Sequence, residues 1–565
     1  MNDIRRTILW VVFGFSLVML WDQWQLHNGN RPTFFPSATP PAGTATTPAP
    51  STTPSATPSP AASDVLSGLP TQRATDTPSL ASEIVEVQTD VLKLSFDTRG
   101  ASLTRVELLK HKDVHHPGSN VLLMDSSKER MYLAQTGLVG APAGASWPSH
   151  QTPTRLTSAP NFKDGEDSLL LRFESDLSGG VKLIKTYTVS KNSYLLLVQH
   201  EIVNQSGQSI SPQVYVQLVR NGNKPEGESA FYSTFTGPAV YTNAKKYQKI
   251  EFSDIEKDKA DFEKKSDLGY VAMVQHYFAS AWLMDDAQPR DLYARKIDNN
   301  LYSVGMVVPL SAQANKSKQT HQMKLFVGPQ EEKTLENIYP GLELVKDYGF
   351  LTILSKPLYW LLYELNKHIS NWGWSIVALV VLLKLAFYWL NSQAYKSMGK
   401  MKAINPKIME MRERLKDNPQ QMQTEMMKIY REEKVNPLGG CLPIAVQIPF
   451  FIALYWVLLS SVEMRNAPWV GWIHDLAAPD TAFGIWFGVP IGLLPILMTA
   501  TSLVQTWLNP TPPDPIQAKM MWMMPLAFSV MFFFFPSGLV LYWLSNNILS
   551  IAQQWMINKQ LGVTN

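Results

Sequence analysis

The residue that most needs a physical account is Lys384, set inside the apolar run SIVALVVLLKLAFYWL at 375–390. An ammonium in hydrocarbon costs roughly 2.5–3.5 kcal/mol on insertion scales, so water or hydrogen-bonding partners must reach it. The side chain can snorkel to the nearer surface, about 9 Å along a helix at ~1.5 Å per residue. Alternatively it stands in a hydrated interior site and attracts carboxylates. Neighbouring apolar runs carry Gln447, Gln505, Ser545, Asn546 and Asn547, and the indole of Trp543 adds a donor. Each must find a partner away from lipid, which interhelical bonds can supply one at a time. If they converge, they line a polar cavity whose positive charge is Lys384.

Enzyme signatures do not accompany this lysine. The chain has no GxxxxGK[ST], no HExxH, no GxSxG and a single cysteine, Cys441, so nucleotide, zinc-protease, nucleophile-elbow and disulfide chemistry have no carriers. His111, His115 and His116 lie close together in KHKDVHHPG, a polar stretch without a companion cysteine, and read as loop histidines. Neither a cofactor nor a metal is expected.

The 565 residues divide between two solvents. The whole chain is 17% charged with a net charge of only +3, which argues against a strongly basic nucleic-acid binder. From Cys441 to Met556, however, only Glu463, Arg465, Asp475, Asp480, Asp514 and Lys519 carry full charges, too few for a water-facing surface. Residues 1–25 hold Arg5 and Arg6 followed by an apolar run ending in Trp21 and Trp24; a cleaved signal peptide is the alternative, but no small-residue cleavage site follows the run, so an uncleaved anchor with its N-terminus in the cytoplasm is expected. The stretch 26–81, with only Pro, Ala, Thr, Ser and Gly between 37 and 63, reads as an extended tether.

Residues 82–340 then read as short strands. In VLKLSF, Leu92, Leu94 and Phe96 alternate with Lys93 and Ser95, and VKLIKTYTV, YLLLVQHEIV, QVYVQLV and MKLFVG continue the pattern, so a large β-sandwich with one shared core is expected. Past Lys356 the period becomes 3.6, and Leu358, Leu361, Leu362, Leu365 and Ile369 mark an interfacial amphipathic helix over 355–370.

Apolar runs at 371–390, 441–460, 484–507, 521–535 and 538–556 make six spans with the anchor. Lys396, Lys400, Lys402, Lys407, Arg412, Arg414, Lys416, Lys428, Arg431 and Lys434 crowd the 391–440 connection, which places it, both termini and the 557–565 tail in the cytoplasm and the β-domain outside. That connection predicts two amphipathic helices broken near Asn418-Pro419. Their apolar faces, with Met401, Ile404, Ile408, Met411, Met422 and Met426, can pack together or meet other apolar segments. Its basic side can meet anionic lipid heads or ribosomal RNA. Pro536-Ser537-Gly538 divides the last uncharged run into a hairpin whose first arm, about 15 residues or ~22 Å, is short for a ~30 Å core. The expectation is a locally thinned bilayer, or an arm continuing into the cytoplasmic face.

NPLGGCLP at 436–443, WIHDL at 472–476 and PSGLVLYW at 536–543 together make the chain similar to the YidC membrane protein insertase family. With the anchor, tether and outer β-domain it resembles the Gram-negative form. The resemblance implies a polytopic α-helical bacterial inner-membrane protein with a five-helix core and a periplasmic β supersandwich related to sugar-mutarotase folds. It implies a groove open to cytoplasm and lipid whose positive charge is Lys384, where many members have Arg. Ile448, Phe451, Met524 and Phe528 are its candidate greasy slide, and Lys396, Lys400, Lys402, Lys407, Arg412 and Arg414 the contacts of the cytoplasmic hairpin. The implied partners are nascent membrane proteins, the Sec translocon, the ribosome, signal-recognition machinery and membrane lipids, with no specific nucleic-acid sequence. A secondary transporter would need an inverted repeat that the spans do not display. A sugar-binding envelope protein would need activity in the β-domain alone.

Overall fold

The computed structural model describes residues 82–114, 116, 118–127, 129–225, 234–415, 418–433, 442–509, 511 and 515–560. The anchor and tether, His115, most of NPLGGCLP and the end of the tail lie outside the described residues.

Two nine-stranded antiparallel sheets build the β-domain. The first runs through Ile84–Gln88, Leu92–Asp97, Ser102–Lys112, Asn120–Ser126, Met131–Val139, Gln213–Asn221, Leu301–Pro309, Arg290–Asp298 and Lys265–Ser266. The second runs through Lys246–Lys249, Gly237–Thr242, Gly269–Val274, Phe278–Leu283, Lys318–Pro329, Leu195–Asn204, Val181–Ser190, Ser168–Ser175 and Thr154–Leu156. Alternation puts Leu92, Leu94 and Phe96 at 0% exposure, in one cluster with Leu171, Phe173 and Val198 of the opposite sheet. Side chains of period two thus seal both inner faces.

The helical region comprises α1 (Thr352–Ile369), α2 (Trp372–Ala386), α3 (Tyr388–Arg414), α4 (Pro419–Glu432), α5 (Leu442–Ser460), α6 (Leu493–Leu508), α7 (Pro515–Phe532) and α8 (Ser537–Gln560). Leu358 and Leu362 of α1, Ile376 and Leu379 of α2, Leu454 and Val457 of α5, and Leu539 and Val540 of α8 share its core. A left-handed Ser370 ends α1, and Asn371 accepts from the backbone N–H of Trp374 to start α2.

Three boundaries differ from expectation. The run 371–390 is not one helix: it breaks at Phe387 and turns by 70° into α3. The run 484–507 is helical only from Leu493, because Gly484 and Gly488 at positive φ and Pro490 fold its beginning into a hairpin of Ile485–Trp486 on Val489–Pro490. The arm expected at 521–535 begins at Pro515 and ends at Phe532, so it takes in Lys519 and gains length at its charged end. Among the described residues no single helix is long and apolar enough to cross a membrane, while the bent pair α2–α3 satisfies length and composition together.

Polar side chains join the two regions. Lys346, whose side chain is 0% exposed, lies 3.3 Å from both oxygens of Glu463 and 4.0 Å from the Tyr359 ring. Tyr359 donates to Glu463 at 2.5 Å. Arg465 donates to the carbonyl of Lys112 and lies over Tyr277 and Phe278. Burial holds the His276 imidazole down at about 4, so its neutral ring bonds the Leu459 carbonyl at 2.8 Å.

Candidate functional site

A cavity of about 200 Å³ opens where α2, the start of α3, α5 and α8 meet, with Lys384, Asn391, Gln447, Ile448, Phe451 and Asn546 on its wall. Lys384 is half-buried in the last turn of α2 and donates to the Ser550 hydroxyl at 2.7 Å. Ser550 in turn donates to the Asn546 carbonyl one helical turn earlier, at 2.7 Å. Gln447 donates to Asn391 at 2.5 Å. The buried Nδ2 of Asn391 has no hydrogen-bond partner among the described residues, and neither does any carboxylate among them pair with Lys384. The arrangement is a cation with one neutral hydroxyl partner beside an open, mixed polar and apolar surface. Chemically it can attract an anionic group and hydrogen-bond an extended segment.

The other expected lining residues do not reach this cavity. Trp543 is buried, stacks on Phe451 at 5.2 Å between ring centroids, and leaves its N–H without a partner among the described residues. Ser545 is buried within α8. Asn547 donates to Ser502 of α6 at 3.1 Å. Gln505 is half-buried on α6. Met524 and Phe528 lie on α7, each 51% exposed, and line a separate apolar cavity of about 600 Å³ against Met498, Ser502 and Thr506 of α6. The candidate slide is therefore divided between two openings, Ile448 and Phe451 on one and Met524 and Phe528 on the other. Each wall contains a proline within its helix, Pro449 in α5 and Pro525 in α7.

Sequence reasoning missed Asn391, Ser550 and Ser502. Ser550 was findable, being four residues after Asn546 and so on its helix face; Asn391 lies beyond a bend that neither Pro nor Gly marks. The contact between WIHDL and the Pro536-Ser537-Gly538 turn was also not foreseen. The Gly538 N–H donates to Leu476 at 2.8 Å, and a Cβ on Gly538 would approach that carbonyl to 3.2 Å.

The helices α3 and α4 pack their apolar faces together through Ile404, Ile408 and Met411 against Met422, Met426 and Ile429. Lys396, Lys400 and Arg414 are exposed, Lys402 and Arg412 half-buried, and Lys407 pairs with Glu433 at 2.5 Å.

Residues 84–361 match the YidC periplasmic domain family and residues 364–563 the 60Kd inner membrane protein family. The chain is 52% identical to the membrane protein insertase YidC of Ralstonia nicotianae, over 99% of this chain and 98% of that one. It is 48% identical to the membrane protein insertase YidC of a Janthinobacterium species, over the full length of both. A crystal structure of an active YidC insertase with its first transmembrane domain resolved is 18% identical over 84% of this chain and 92% of that chain, with a TM-score of 0.38.

Proposed function

We propose a route of insertion from one premise: this chain belongs to the YidC membrane protein insertase family. It is a membrane protein insertase of the inner membrane and not an enzyme, and its β-sheet-rich domain is the periplasmic one. Its substrates are nascent membrane proteins. In our reading α2, α5, α6, α7 and α8 are five spans, the N-terminal run is a sixth, and both termini and the α3–α4 hairpin are cytoplasmic.

A short polar tail of the substrate enters the cavity beside Lys384, where hydrogen-bonding groups lower the cost of leaving water and the ammonium attracts acidic residues. The following apolar segment moves along Ile448 and Phe451 of α5, and along Met524 and Phe528 of α7, into lipid. Burial of roughly 20 apolar residues drives the transfer without nucleotide hydrolysis. A potential positive outside favours outward passage of an acidic tail by about 2.3 kcal/mol per charge per 100 mV. The basic hairpin receives the substrate from the ribosome and signal-recognition machinery, and the Sec translocon shares some clients. The observation that supports this most is the cation itself: Lys384 faces an open cavity with a hydroxyl, not a carboxylate, as its hydrogen-bond partner.

Site-specific photo-crosslinkers at Ile448, Phe451, Met524 and Phe528 should capture a stalled nascent membrane protein, whereas one at Leu170, exposed on the β-domain, should not. Equal capture at all five positions, or capture only at Leu170, overturns the route.

A further inference from the structure

The connection from α5 to α6 carries a second apolar surface. Between Asp480 and Asp514 no residue is charged, and its first part is the hairpin of Ile485–Trp486 on Val489–Pro490. Phe483 is 54% exposed, Ile485 67%, Trp486 64% and Phe487, at the tip, fully so. Phe487 has φ of 50°, a left-handed conformation that a bulky residue adopts at a cost.

The hairpin is held rather than loose. Asp480, 3% exposed, accepts from the Trp472 indole at 3.0 Å, from the Ala482 N–H at 3.0 Å and from the Leu494 N–H at the start of α6 at 2.8 Å. A Cβ on Gly492 would strike Asp480 at 2.5 Å, so the carboxylate is seated tightly against the strand leaving the hairpin. The Trp486 indole folds back onto the Phe483 carbonyl at 3.0 Å. A two-stranded hairpin this short does not hold a strained aromatic tip in water by itself, and a contiguous exposed apolar patch marks an interaction surface.

The site tells what it meets. The hairpin runs directly into α6, whose Ile496 and Leu497 are exposed and apolar. It leaves a loop whose Arg465 is bonded to the β-domain, so it stands on the β-domain side. Trp and Phe with a satisfied indole N–H suit the boundary between headgroups and acyl chains.

We propose that the Ile485–Pro490 hairpin is a lipid-seated wedge that inserts Ile485, Trp486 and Phe487 into the interfacial zone of the outer leaflet and fixes the depth of α6. The proposal rests on reading α6 as a span, and the test separates the two. The full-length chain with Cys441→Ser is labelled with an environment-sensitive fluorophore at Phe487→Cys or at Leu497→Cys. It is then reconstituted in vesicles of phosphatidylethanolamine and phosphatidylglycerol containing lipids spin-labelled at shallow or deep acyl positions. The wedge predicts a blue-shifted label at 487 quenched at least twofold more by the shallow probe, and a label at 497, about 6 Å into α6, quenched by the acyl-chain probes as well. A water-exposed, unquenched 487 beside a quenched 497 overturns the wedge and leaves the span. A blue-shifted but unquenched 487 also overturns it, since a protein surface then covers the tip. If neither position is quenched, the span reading fails and the wedge with it.

Discussion

Lys185 in the β-sandwich is 1% exposed and donates to the carbonyls of Gly100 at 2.7 Å and Thr136 at 2.5 Å. Lys384 in the helical bundle is half-buried, bonds one hydroxyl and faces open space. Both are cations among apolar side chains, yet the first has two of its donors held by fixed backbone carbonyls in a sealed interior, and burial brings its ammonium down to about 7. Lys346, at the joint between the regions, is the third solution, a buried pair with Glu463. The contrast teaches that a buried lysine becomes a functional candidate through what its surroundings leave unsatisfied, and burial alone does not make it one.

Breaking the joint should have the largest effect. Glu463→Ala strands the Lys346 ammonium, and the loss should be about 3–5 kcal/mol, read as a lower unfolding midpoint of the purified full-length protein. Adding Lys346→Met should recover most of it, because the stranded charge is then gone. At Lys384 the effect should fall on function instead. Lys384→Glu should slow insertion of substrates with acidic tails at least tenfold, about 1.4 kcal/mol on the barrier, while Lys384→Arg stays within a few-fold. Equal insertion by all forms in a depletion strain would remove the electrostatic part of the route.

Lys185 should reveal itself through pH. Its folded-state value near 7 lies below the ordinary 10.5, so above pH 7 the unfolded chain holds a proton that the folded one has shed. Stability must therefore rise with pH from about 7 to 9, by roughly 1 kcal/mol per unit. His111, which lies in the strand Ser102–Lys112 edge-on to Phe278 and not in the expected loop, and His276 are held at about 4 and His150 at about 3 by burial, and they titrate below this window. Lys185→Met should flatten the rise in denaturant midpoints, and insertion should be unchanged. The smallest effect belongs to the exposed hairpin lysines. Lys396→Glu with Lys400→Glu should weaken ribosome binding only a few-fold, in keeping with solvated charges, and added salt should erase the difference.

Much of this architecture was legible because its signals are periodic. Leu92, Leu94 and Phe96 announce their sheet face by alternation, and Ile404, Ile408 and Met411 announce a helix face by their spacing. Lys384 was legible for the opposite reason, as a violation of its surroundings. Its partner Ser550 was not, since a serine in a helix next to other polar residues breaks no rule. The bend at Phe387 was hidden because no Pro or Gly marks it, and it moves Asn391 to the cavity wall. The division of Met524 and Phe528 from Ile448 and Phe451 was equally hidden, because it depends on how α5, α6, α7 and α8 pack in three dimensions. The positions of Gly484, Gly488 and Pro490, by contrast, were visible breakers within an apolar run that hydropathy alone had read as helix.

Pro449 and Pro525 each delete one rung of the backbone ladder beside the residues assigned to the slide. A helix missing a rung yields most easily there, so on the proposed route both walls are softest at the depth assigned to the passenger. Compliance of this kind needs no matching of shapes. A slender alanine-rich segment and one studded with tryptophan could use the same doorway, which would widen by flexing its jambs and spring back afterwards.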